Sequence, residues 1–459
     1  MLLFLPEILV LAGALLLLAY DSIVLTPNRK VLLWFSIITL ALALASLFLP
    51  LRESLPFPGL FFSGSYLIDH FGAVFKGIFI ASTGLVLLMN YDFFAAEVKK
   101  NESEFYFLIL FCLLGMMIAV SSVNFLLLYL GLELLGLSSY ALAGWQKDIS
   151  RSGEASLKYL FFGAASSAVF LYGISLIYGL FGTIDITKLT AINLLLPLHF
   201  SALLFVVLGI GFKVSMFPMQ FWAPDVYEGA PTPFTAYISA ASKAMGVAVL
   251  FRLLTFLGLN FAVIISVFSA LTMFWGNLTA LRQRNIKRLL AYSSISHAGY
   301  ILIAFLSLIF GYSAFIFYVA AYVLANLGAF AVVIYLSLVL KSEDIESYSG
   351  FAYRSPFTAF ALSIFFLSFI GVPPLAGFVG KFLLFAVALN SGYLWLAVLG
   401  VLNSVFSAFY YLNVVRLMYF KRGDEAPVKV PFLLVVTICV CLGLVILMGI
   451  FPNIALSVI

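Results

Sequence analysis

The chain has 459 residues, of which 64% are hydrophobic and 9% are charged, and its mean hydropathy is +1.17. A soluble domain carries about 25% charged residues, so this composition excludes a soluble protein and predicts a polytopic membrane protein. The three cysteines lie in apolar runs, and their spacing fits neither a disulfide framework nor a metal site. The formal net charge is +5, and its distribution along the chain is more informative than its size.

Fourteen apolar runs are long enough to cross a bilayer as helices. In chain order they begin near Leu2, Val31, Phe71, Glu104, Asn124, Glu154, Leu198, Pro233, Asn260, Ile286, Tyr312, Ser355, Tyr393 and Val430. The first run lacks a basic start and contains Pro6 and Glu7, so we interpret it as a retained span rather than a cleaved signal peptide. The predicted fold is an all-α polytopic membrane protein with about 14 transmembrane helices.

Basic residues concentrate in the loops on one side of these runs. Loops after odd-numbered spans, with the adjoining span ends, hold 16 of the 24 Lys and Arg residues, whereas loops after even-numbered spans hold Arg52 and Lys188. The sixteen are Arg29, Lys30, Lys99, Lys100, Lys147, Arg151, Arg282, Arg284, Lys287, Arg288, Lys341, Arg354, Arg416, Lys421, Arg422 and Lys429. Cytoplasmic loops are enriched in Lys and Arg. We therefore expect a multi-pass protein of the cell inner membrane, with both termini on the outer, periplasmic side and no nucleic-acid partner.

The spans divide into two blocks of five, preceded by three spans and followed by one. We predict an N-terminal segment over 1–103, a first repeat over 104–257 (spans 4–8), a second repeat over 258–420 (spans 9–13) and a C-terminal span over 421–459. Because five is an odd number, consecutive five-span units must be inverted relative to each other. Proline and glycine interrupt spans 7 and 12. Glu133 precedes His297 by 164 residues (297 − 133), and Lys213 precedes Lys381 by 168 (381 − 213). This spacing predicts two inverted repeats, each containing a broken helix.

Six ionisable residues deep in the apolar runs are the candidate functional residues. They are Glu133, Lys158, Lys213, Lys243, His297 and Lys381. A charge at the bilayer centre costs about 2.5–3.5 kcal/mol on insertion scales, and buried ion pairs stabilise weakly, so such a set indicates function. Broken helices at this depth mark the ion site of transporters, and lysine as the carrier indicates protons. Lys158 could instead extend to the cytoplasmic interface, and His297 could satisfy a core contact. Lys76 and Arg252, nearer span ends, are expected to reach the interface.

Other chemistry lacks a motif in this chain. The three histidines are far apart and have no metal-ligand spacing. No dinucleotide-binding glycine motif or iron–sulfur cysteine set occurs, and GFVGKF around Lys381 lacks the spacing of a phosphate loop. We therefore expect no metal and no cofactor in this chain, and energy that arrives through contact with a partner.

The segment KVSMFPMQFWAPDVYEGAPTPFTAYISAASKAMG, residues 213–246, resembles the signature of spans 7 and 8 in the antiporter-like membrane subunits of respiratory complex I, the NADH-quinone oxidoreductase. The core from Glu104 to Phe420 is similar to the proton-translocating domain that these subunits share with multisubunit cation/proton antiporters. EGAPTP…ASK, together with the lysine of GFVGKF, resembles the N type among them. The M type carries glutamate at that late position, and the L type extends into a long C-terminal helix.

The resemblance implies a subunit of a translocase that performs no redox chemistry itself. It implies other membrane subunits of complex I as partners, including another antiporter-like subunit and small membrane subunits, with flavin, iron–sulfur clusters and quinone in other subunits. It also implies a role for each candidate in a proton relay. Glu133 would tune the central lysine Lys213, with Lys158 beside that pair, Lys243 as the connecting lysine, His297 in the span-10 motif and Lys381 as the terminal residue on the exit side.

Two alternatives remain at this point. The chain could belong to a multisubunit cation/proton antiporter, which runs on an ion gradient alone. It could also be a structural membrane subunit without an ion path of its own. Replacement of Lys213 separates the relay from the structural alternative.

Overall fold

The computed structural model describes residues 4–24, 27–48, 59–97, 102–189, 192, 194–257, 261–420 and 428–458. These residues form nineteen α-helices and one antiparallel hairpin of two strands. The strands are β1 (Gly59–Phe61) and β2 (Tyr66–Ile68). The helices are α1 (Leu5–Ile23), α2 (Arg29–Ser46), α3 (His70–Glu97), α4 (Glu102–Ser121), α5 (Phe125–Ala143), α6 (Ser150–Phe181), α7 (Pro197–Val214), α8 (Trp222–Gly229), α9 (Thr232–Tyr237), α10 (Lys243–Leu257), α11 (Ala262–Ala280), α12 (Ile286–Ile303), α13 (Gly311–Leu340), α14 (Phe351–Arg354), α15 (Pro356–Ile370), α16 (Ala376–Asn390), α17 (Leu394–Phe420), α18 (Phe432–Ile450) and α19 (Pro452–Val458).

Thirteen helical stretches among the described residues are long and apolar enough to cross a membrane. The remaining predicted span, span 12, is divided between the two shorter apolar helices α15 and α16. One of the thirteen stretches, Thr232–Leu257, joins α9 to α10 through the π-helical turn Ile238–Ser242. The prediction of an all-α membrane protein with about 14 spans is confirmed.

The predicted segment boundaries lie at helix ends or beside them. The first repeat begins with α4, the second ends with α17, and α18 follows as the last span. The boundary at residue 258 and the residues 421–427 lie outside the described residues, as do Leu2, Arg52, Lys99 and Lys100.

The inverted repeat is visible in two matching helix starts. Asn124 and Asn285 are the N-caps of α5 and α12, and each Oδ1 accepts hydrogen bonds from the amides two and three residues on, at 2.9–3.4 Å. Each asparagine also forms a β-bridge with an aspartate that lies just after the second α-helix downstream, Asn124 with Asp185 and Asn285 with Asp344. Five spans separate the two asparagines, so the same motif lies at opposite ends of the bundle, as inversion requires.

Close helix packing recurs at equivalent positions of the two repeats. Gly115 on α4 and Gly276 on α11 each precede the capping asparagine of the next helix by nine residues (124 − 115 and 285 − 276). A Cβ at Gly115 would lie 2.7 Å from the Gly131 carbonyl oxygen, and a Cβ at Gly276 would lie 2.6 Å from the Ser296 amide nitrogen. Small residues at these points let backbones approach without side chains between them.

The broken helices have matching local structure as well. α7 and α15 each start with proline and end at a residue in the left-handed region, Ser215 (φ 60) and Gly371 (φ 93). A cis X–Pro bond follows each, before Pro218 and before Pro374. Each break leaves the last carbonyls of a half-helix without continuing helical partners inside the bundle. The candidate lysines lie at these two breaks.

Lys76 and Arg252, which were expected to extend towards the membrane interface, are instead buried and paired with carboxylates. Lys76 is 4% exposed, with its Nζ 2.7 Å from Glu7 Oε1. Arg252 is 5% exposed, with its Nη2 2.6 Å from Asp69 Oδ1. Each cation has a carboxylate partner on another helix or helix-flanking segment, and pairing replaces the hydration that the interface would supply. The pairs attach α1 to α3, and the start of α3 to α10.

Candidate functional site

Lys213 lies in the last turn of α7, next to the break, and is 6% exposed. Its ammonium faces three aromatic rings, with Nζ 5.1 Å from the centroid of Tyr159, 5.4 Å from Tyr140 and 5.5 Å from Phe212. Nζ has no hydrogen-bond partner among the described residues. A desolvated cation on an aromatic face gains about 2 kcal/mol, so these rings, here called the aromatic cage, hold the charge without a fixed ion pair.

Glu133, on α5, lines the same small cavity as Lys213. The cavity measures about 20 Å³, which is room for about one water molecule. The Glu133 carboxylate accepts a hydrogen bond from Ser167 Oγ on α6. Within the described part of the chain, Glu133 and Lys213 do not form a salt bridge, so the predicted pair shares a cavity rather than a direct contact.

The break after Lys213 contains further polar atoms without partners. Ser215 Oγ and both side-chain amide atoms of Gln220 are buried and have no hydrogen-bond partner among the described residues. Buried polar groups in proteins are almost always satisfied by protein or by ordered water. The break that follows Lys213 in the chain therefore offers a set of unsatisfied hydrogen-bonding positions.

Lys243 begins α10, directly after the π-helical turn, and is fully buried. Its Nζ donates to the Ser294 carbonyl at 2.7 Å and to Ser294 Oγ at 2.8 Å. No carboxylate of the described residues lies within salt-bridge distance of it. Neutral oxygens of α12 are the hydrogen-bond acceptors of this lysine.

One face of α12 connects Lys243 to Lys381. Ser294, His297 and Tyr300 follow each other at three-residue intervals, so they lie on one side of the helix. His297 is 3% exposed, and its Nδ1 is 2.7 Å from the Tyr318 hydroxyl. Six residues of α-helix rise about 9 Å, so this face bridges a distance that neither lysine side chain covers alone.

Lys381, on α16, closes the row and is 4% exposed. Its Nζ lies 4.3 Å from the centroid of the Tyr300 ring and donates to Ser404 Oγ at 2.9 Å. It also donates to the carbonyl of Ile370, the last residue of α15, at 3.1 Å. The Tyr300 and Ser404 hydroxyls are 3.0 Å apart. Lys381 therefore connects α12, α17 and both halves of the broken span.

Lys158 does not lie beside Glu133 and Lys213 as expected. Its side chain is 38% exposed, and Nζ is 2.7 Å from both Glu154 and Asp225. Asp225 is also 2.7 Å from Arg288, which is 2.8 Å from Glu228. These five residues, here called the charged cluster, line a polar cavity of about 190 Å³. Lys158 lies near the start of α6, where solvent stabilises its charge, and this is why it faces outward.

A larger cavity of about 830 Å³ adjoins the charged cluster. Arg151 and Glu228 line both cavities, and the larger one is also lined by Lys287 and Lys341. Arg151, Lys287 and Lys341 were assigned to a single membrane face by the charge of their loops, and the structure brings them together. A polar vestibule therefore opens at the basic face.

The capping asparagines and the helix breaks show which residues of the two repeats occupy equivalent positions, and they correct two correspondences that the sequence spacing suggested. Glu133 follows the capping Asn124 by nine residues (133 − 124), and the residue that follows Asn285 by nine is Ser294 (294 − 285), not His297. Lys213 precedes its left-handed cap by two residues (215 − 213), whereas Lys381 follows its cap by ten (381 − 371). The two lysines approach their breaks from opposite sides, because one is on the first half-helix and the other on the second.

Sequence reasoning missed the neutral partners of the lysines. Tyr140, Tyr159, Tyr300 and Ser294 read as ordinary core residues, since aromatic and small residues also pack helices together. Their helical spacing offered a signal for two of them. Tyr140 lies seven residues after Glu133 (140 − 133) and Tyr300 three after His297 (300 − 297), on the same helix faces as those candidates.

Among the described residues, no group of three or more His, Cys, Asp or Glu could hold a metal ion.

Comparison with known proteins places this geometry in a family. Residues 122–407 match the family model for the transmembrane domain of NADH:quinone oxidoreductase and Mrp antiporters. The chain is 42% identical to NADH-quinone oxidoreductase subunit N of Trichlorobacter lovleyi over 381 residues, which cover 79% of this chain and 77% of that one. It is 38% identical to the subunit of the same name from Dehalococcoides mccartyi over 480 aligned positions, covering 100% and 98%.

A solved structure agrees with the sequence comparison. A chain of the respiratory complex I from Thermus thermophilus with bound aureothin superposes with a TM-score of 0.82 at 31% identity, covering 98% of each chain. The match extends over the N-terminal segment, both repeats and the last span. The chain therefore belongs to the family of antiporter-like membrane subunits of NADH:quinone oxidoreductase and Mrp antiporters.

Proposed function

We propose that the chain is the proton-translocating membrane subunit of an NADH-quinone oxidoreductase, in which NADH oxidation and quinone reduction in other subunits drive protons through a buried relay. The observation that carries the proposal is the row of three buried lysines, Lys213, Lys243 and Lys381, at the two helix breaks and the π-helical turn. The names of the relatives support the electron donor and acceptor.

Protons enter from the basic face in this proposal. The charged cluster around Lys158 and Asp225 lines a polar cavity there, and exchangeable groups in such a cavity concentrate and pass protons. Tyr159 follows Lys158 in the chain, and its ring lies against the Lys213 ammonium. The route from the charged cluster to the aromatic cage is therefore short, and Lys213 is the first fully buried carrier on it.

Lys213 passes its proton towards Lys243 along the break. A Cβ at Gly246 would lie 3.3 Å from Lys213 Cβ, so α7 and α10 are in close contact at this point. Lys243 is three residues before Gly246 on α10 (246 − 243), about one turn away. The partnerless side chains of Ser215 and Gln220 are positions where water molecules can complete the path.

From Lys243 the proton follows the α12 face to Lys381. His297 stands midway on that face, hydrogen-bonded through Nδ1 to Tyr318, so its other ring nitrogen is available for transfer. Lys381 then releases the proton at the second break, towards the opposite face. Glu133 controls the protonation of Lys213 at the start of the relay. Its carboxylate favours the charged form of Lys213 when it is close, and this preference weakens when the carboxylate turns away.

The energy required is within reach of such a device. Moving one charge against about 150–200 mV costs roughly 3.5–4.6 kcal/mol. Burial alone can shift the pKa of an ionisable group by about three to five units. At about 1.36 kcal/mol per unit, such a shift matches the free energy needed to move the charge. A partner that changes the position of Glu133 or Lys213 therefore supplies enough leverage to drive one proton.

The wider assignments follow from the same proposal. The chain would sit in the cell inner membrane with both termini on the periplasmic side, beside another antiporter-like subunit and small membrane subunits. Flavin, iron–sulfur clusters and the quinone site would lie in other subunits. The family relation supports assembly with other membrane subunits in general.

Purification and reconstitution of the chain with its native partners test this function. A detergent extract should yield a complex with flavin and iron–sulfur absorption, and NADH with quinone should acidify the lumen of vesicles that contain it in the corresponding orientation. A complex without these absorptions that exchanges cations for protons on an ion gradient alone would overturn the assignment in favour of an antiporter. NADH-driven pumping that is unchanged when Lys213 is replaced would favour a structural subunit.

A further inference from the structure

We infer that Ser294 is the positioning residue of the second repeat, where it holds the connecting lysine Lys243 with neutral oxygens in the place that a carboxylate occupies in the first repeat. The inference rests on the proposed proton relay and deepens it. It assigns a role to a residue that carries no charge and that no candidate set based on ionisable groups includes.

The position of Ser294 in the fold is the first observation. Asn124 and Asn285 are equivalent N-caps with equivalent β-bridges. Glu133 and Ser294 each stand nine residues beyond their cap (133 − 124 and 294 − 285). In the first repeat this position places a carboxylate in the cavity of Lys213. In the second repeat the same position places a hydroxyl against Lys243.

The hydrogen bonds of Ser294 are the second observation. Its Oγ donates to the Ala291 carbonyl at 2.8 Å, so the oxygen lone pairs remain free to accept from Lys243. With the Ser294 carbonyl, which is also an acceptor, two oxygens of one residue fix the Lys243 head group. Both are dipoles without net charge, and Lys243 is fully buried.

The consequence is an asymmetry between the site of Lys213 and the sites of Lys243 and Lys381. A buried ammonium beside a carboxylate is stabilised as a cation, whereas one beside neutral dipoles is oriented but less stabilised. Within the described part of the chain, Lys381 is likewise held by neutral groups, Ser404 Oγ, the Ile370 carbonyl and the Tyr300 ring. The site of Lys213 is thus built to retain a proton, and the sites of Lys243 and Lys381 are built to pass it on. In the transfer, an N–H bond of the Lys243 ammonium breaks, a neutral amine remains, and the proton bonds to the next acceptor on the α12 face.

Variants of Ser294 in the assembled complex test this role. Ser294→Asp restores the carboxylate of the first repeat and should trap the proton on Lys243. We expect the initial rate of NADH-driven proton translocation to fall roughly ten-fold, as for a gained hydrogen bond to a charged partner. Ser294→Ala should give a smaller loss, since the main-chain carbonyl still binds Lys243, and Ser294→Thr should restore pumping because it keeps the hydroxyl. Ser296→Ala is the matched control, a buried serine of the same helix whose Oγ donates to the Ser293 carbonyl.

The outcomes separate this inference from the proposed function. Lys243→Met should abolish pumping, and normal pumping in that variant would overturn the relay itself. If Lys243→Met abolishes pumping while Ser294→Asp, in a fully assembled complex, pumps like the parent, the positioning role of Ser294 is wrong and the relay stands. If Ser294→Asp does not assemble, the serine–alanine–threonine series decides. A threonine variant that pumps no better than the alanine variant would contradict the role of the hydroxyl.

Discussion

Lys381 donates a hydrogen bond across the second break to the carbonyl of Ile370, the last residue of the preceding half-helix, at 3.1 Å. The C-terminal end of a helix carries a partial negative charge that stabilises cations. Lys213 occupies the last turn of its own half-helix before the first break. Both lysines thus lie at the C-terminal end of a half-helix. Lys213 belongs to that half-helix, whereas Lys381 belongs to the half-helix that follows the break. This explains why interrupted helices and lysines occur together in this chain.

Replacement of Lys381 by alanine should strongly reduce proton translocation while the complex still assembles. The second break loses its only cation among the described residues of α15 and α16, and a smaller apolar residue is tolerated next to the aromatic ring of Tyr300. The measurement is NADH-driven acidification in vesicles, normalised to the amount of complex. Lys188→Ala is the control, because that lysine is exposed and pairs with the nearby Asp185 at the surface. Equal losses in the two variants would speak against a specific role for Lys381.

Replacement of Gly371 by alanine should disturb Lys381 without touching it chemically. Gly371 has a φ of 93, and a Cβ there would lie 3.1 Å from Lys381 Cδ. A left-handed conformation costs a non-glycine residue about 1–2 kcal/mol, and the lysine stem must shift as well. We expect lower pumping and a lower thermal midpoint of the purified complex. Gly443→Ala is the matched control, with nothing within 4 Å of its Cβ, and a similar drop in both variants would contradict the expectation.

The aromatic cage predicts different effects for two substitutions of Tyr159. Tyr159→Phe keeps the ring that faces Lys213 and removes a hydroxyl without a well-formed hydrogen bond, so pumping should change little. Tyr159→Leu removes the ring and should slow pumping by roughly thirty-fold, given about 1.36 kcal/mol per decade in rate and about 2 kcal/mol for a desolvated cation–π contact. Initial rates of acidification distinguish the two. Equal rates for the two variants would show that the ring does not hold the charge.

Glu133 should act through its charge. Glu133→Gln keeps the shape of the side chain and its contact with Ser167 but removes the negative charge from the cavity of Lys213, so pumping should fall. Glu133→Asp keeps the charge and should do less harm. The number of protons translocated per NADH oxidised is the measurement. A glutamine variant that pumps as well as the aspartate variant would exclude an electrostatic role for this residue.

Much of the fold follows from the sequence, because apolar length and Pro/Gly interruption depend on local residues. The fourteen spans and both breaks were predictable for that reason. Four of the candidates deep in their spans, Lys213, Lys243, His297 and Lys381, are buried in the structure, whereas Glu133 is only partly buried.

The finer geometry could not be read from one sequence. The register of the repeats depends on caps such as Asn124 and Asn285, whose equivalence becomes visible only when their β-bridges are seen. The position of Lys158 could not be predicted because its partner Asp225 lies on α8, and the sequence does not specify how α8 packs against α6. The neutral partners of Lys243 and Lys381 carry no charge that would single them out.

Proton translocation by a complex that carries Lys213→Ala tests the central claim most directly. Assembly should persist, since the variant removes a buried charge that has no hydrogen-bond partner among the described residues. The protein should be reconstituted in vesicles, and protons moved per NADH oxidised should be compared with the parent and with Lys188→Ala. The relay predicts a sharp loss in the Lys213 variant alone, because no other ionisable side chain of α7 is close enough to the break to carry the proton. A fully assembled Lys213→Ala complex with the parent's proton yield would contradict the relay.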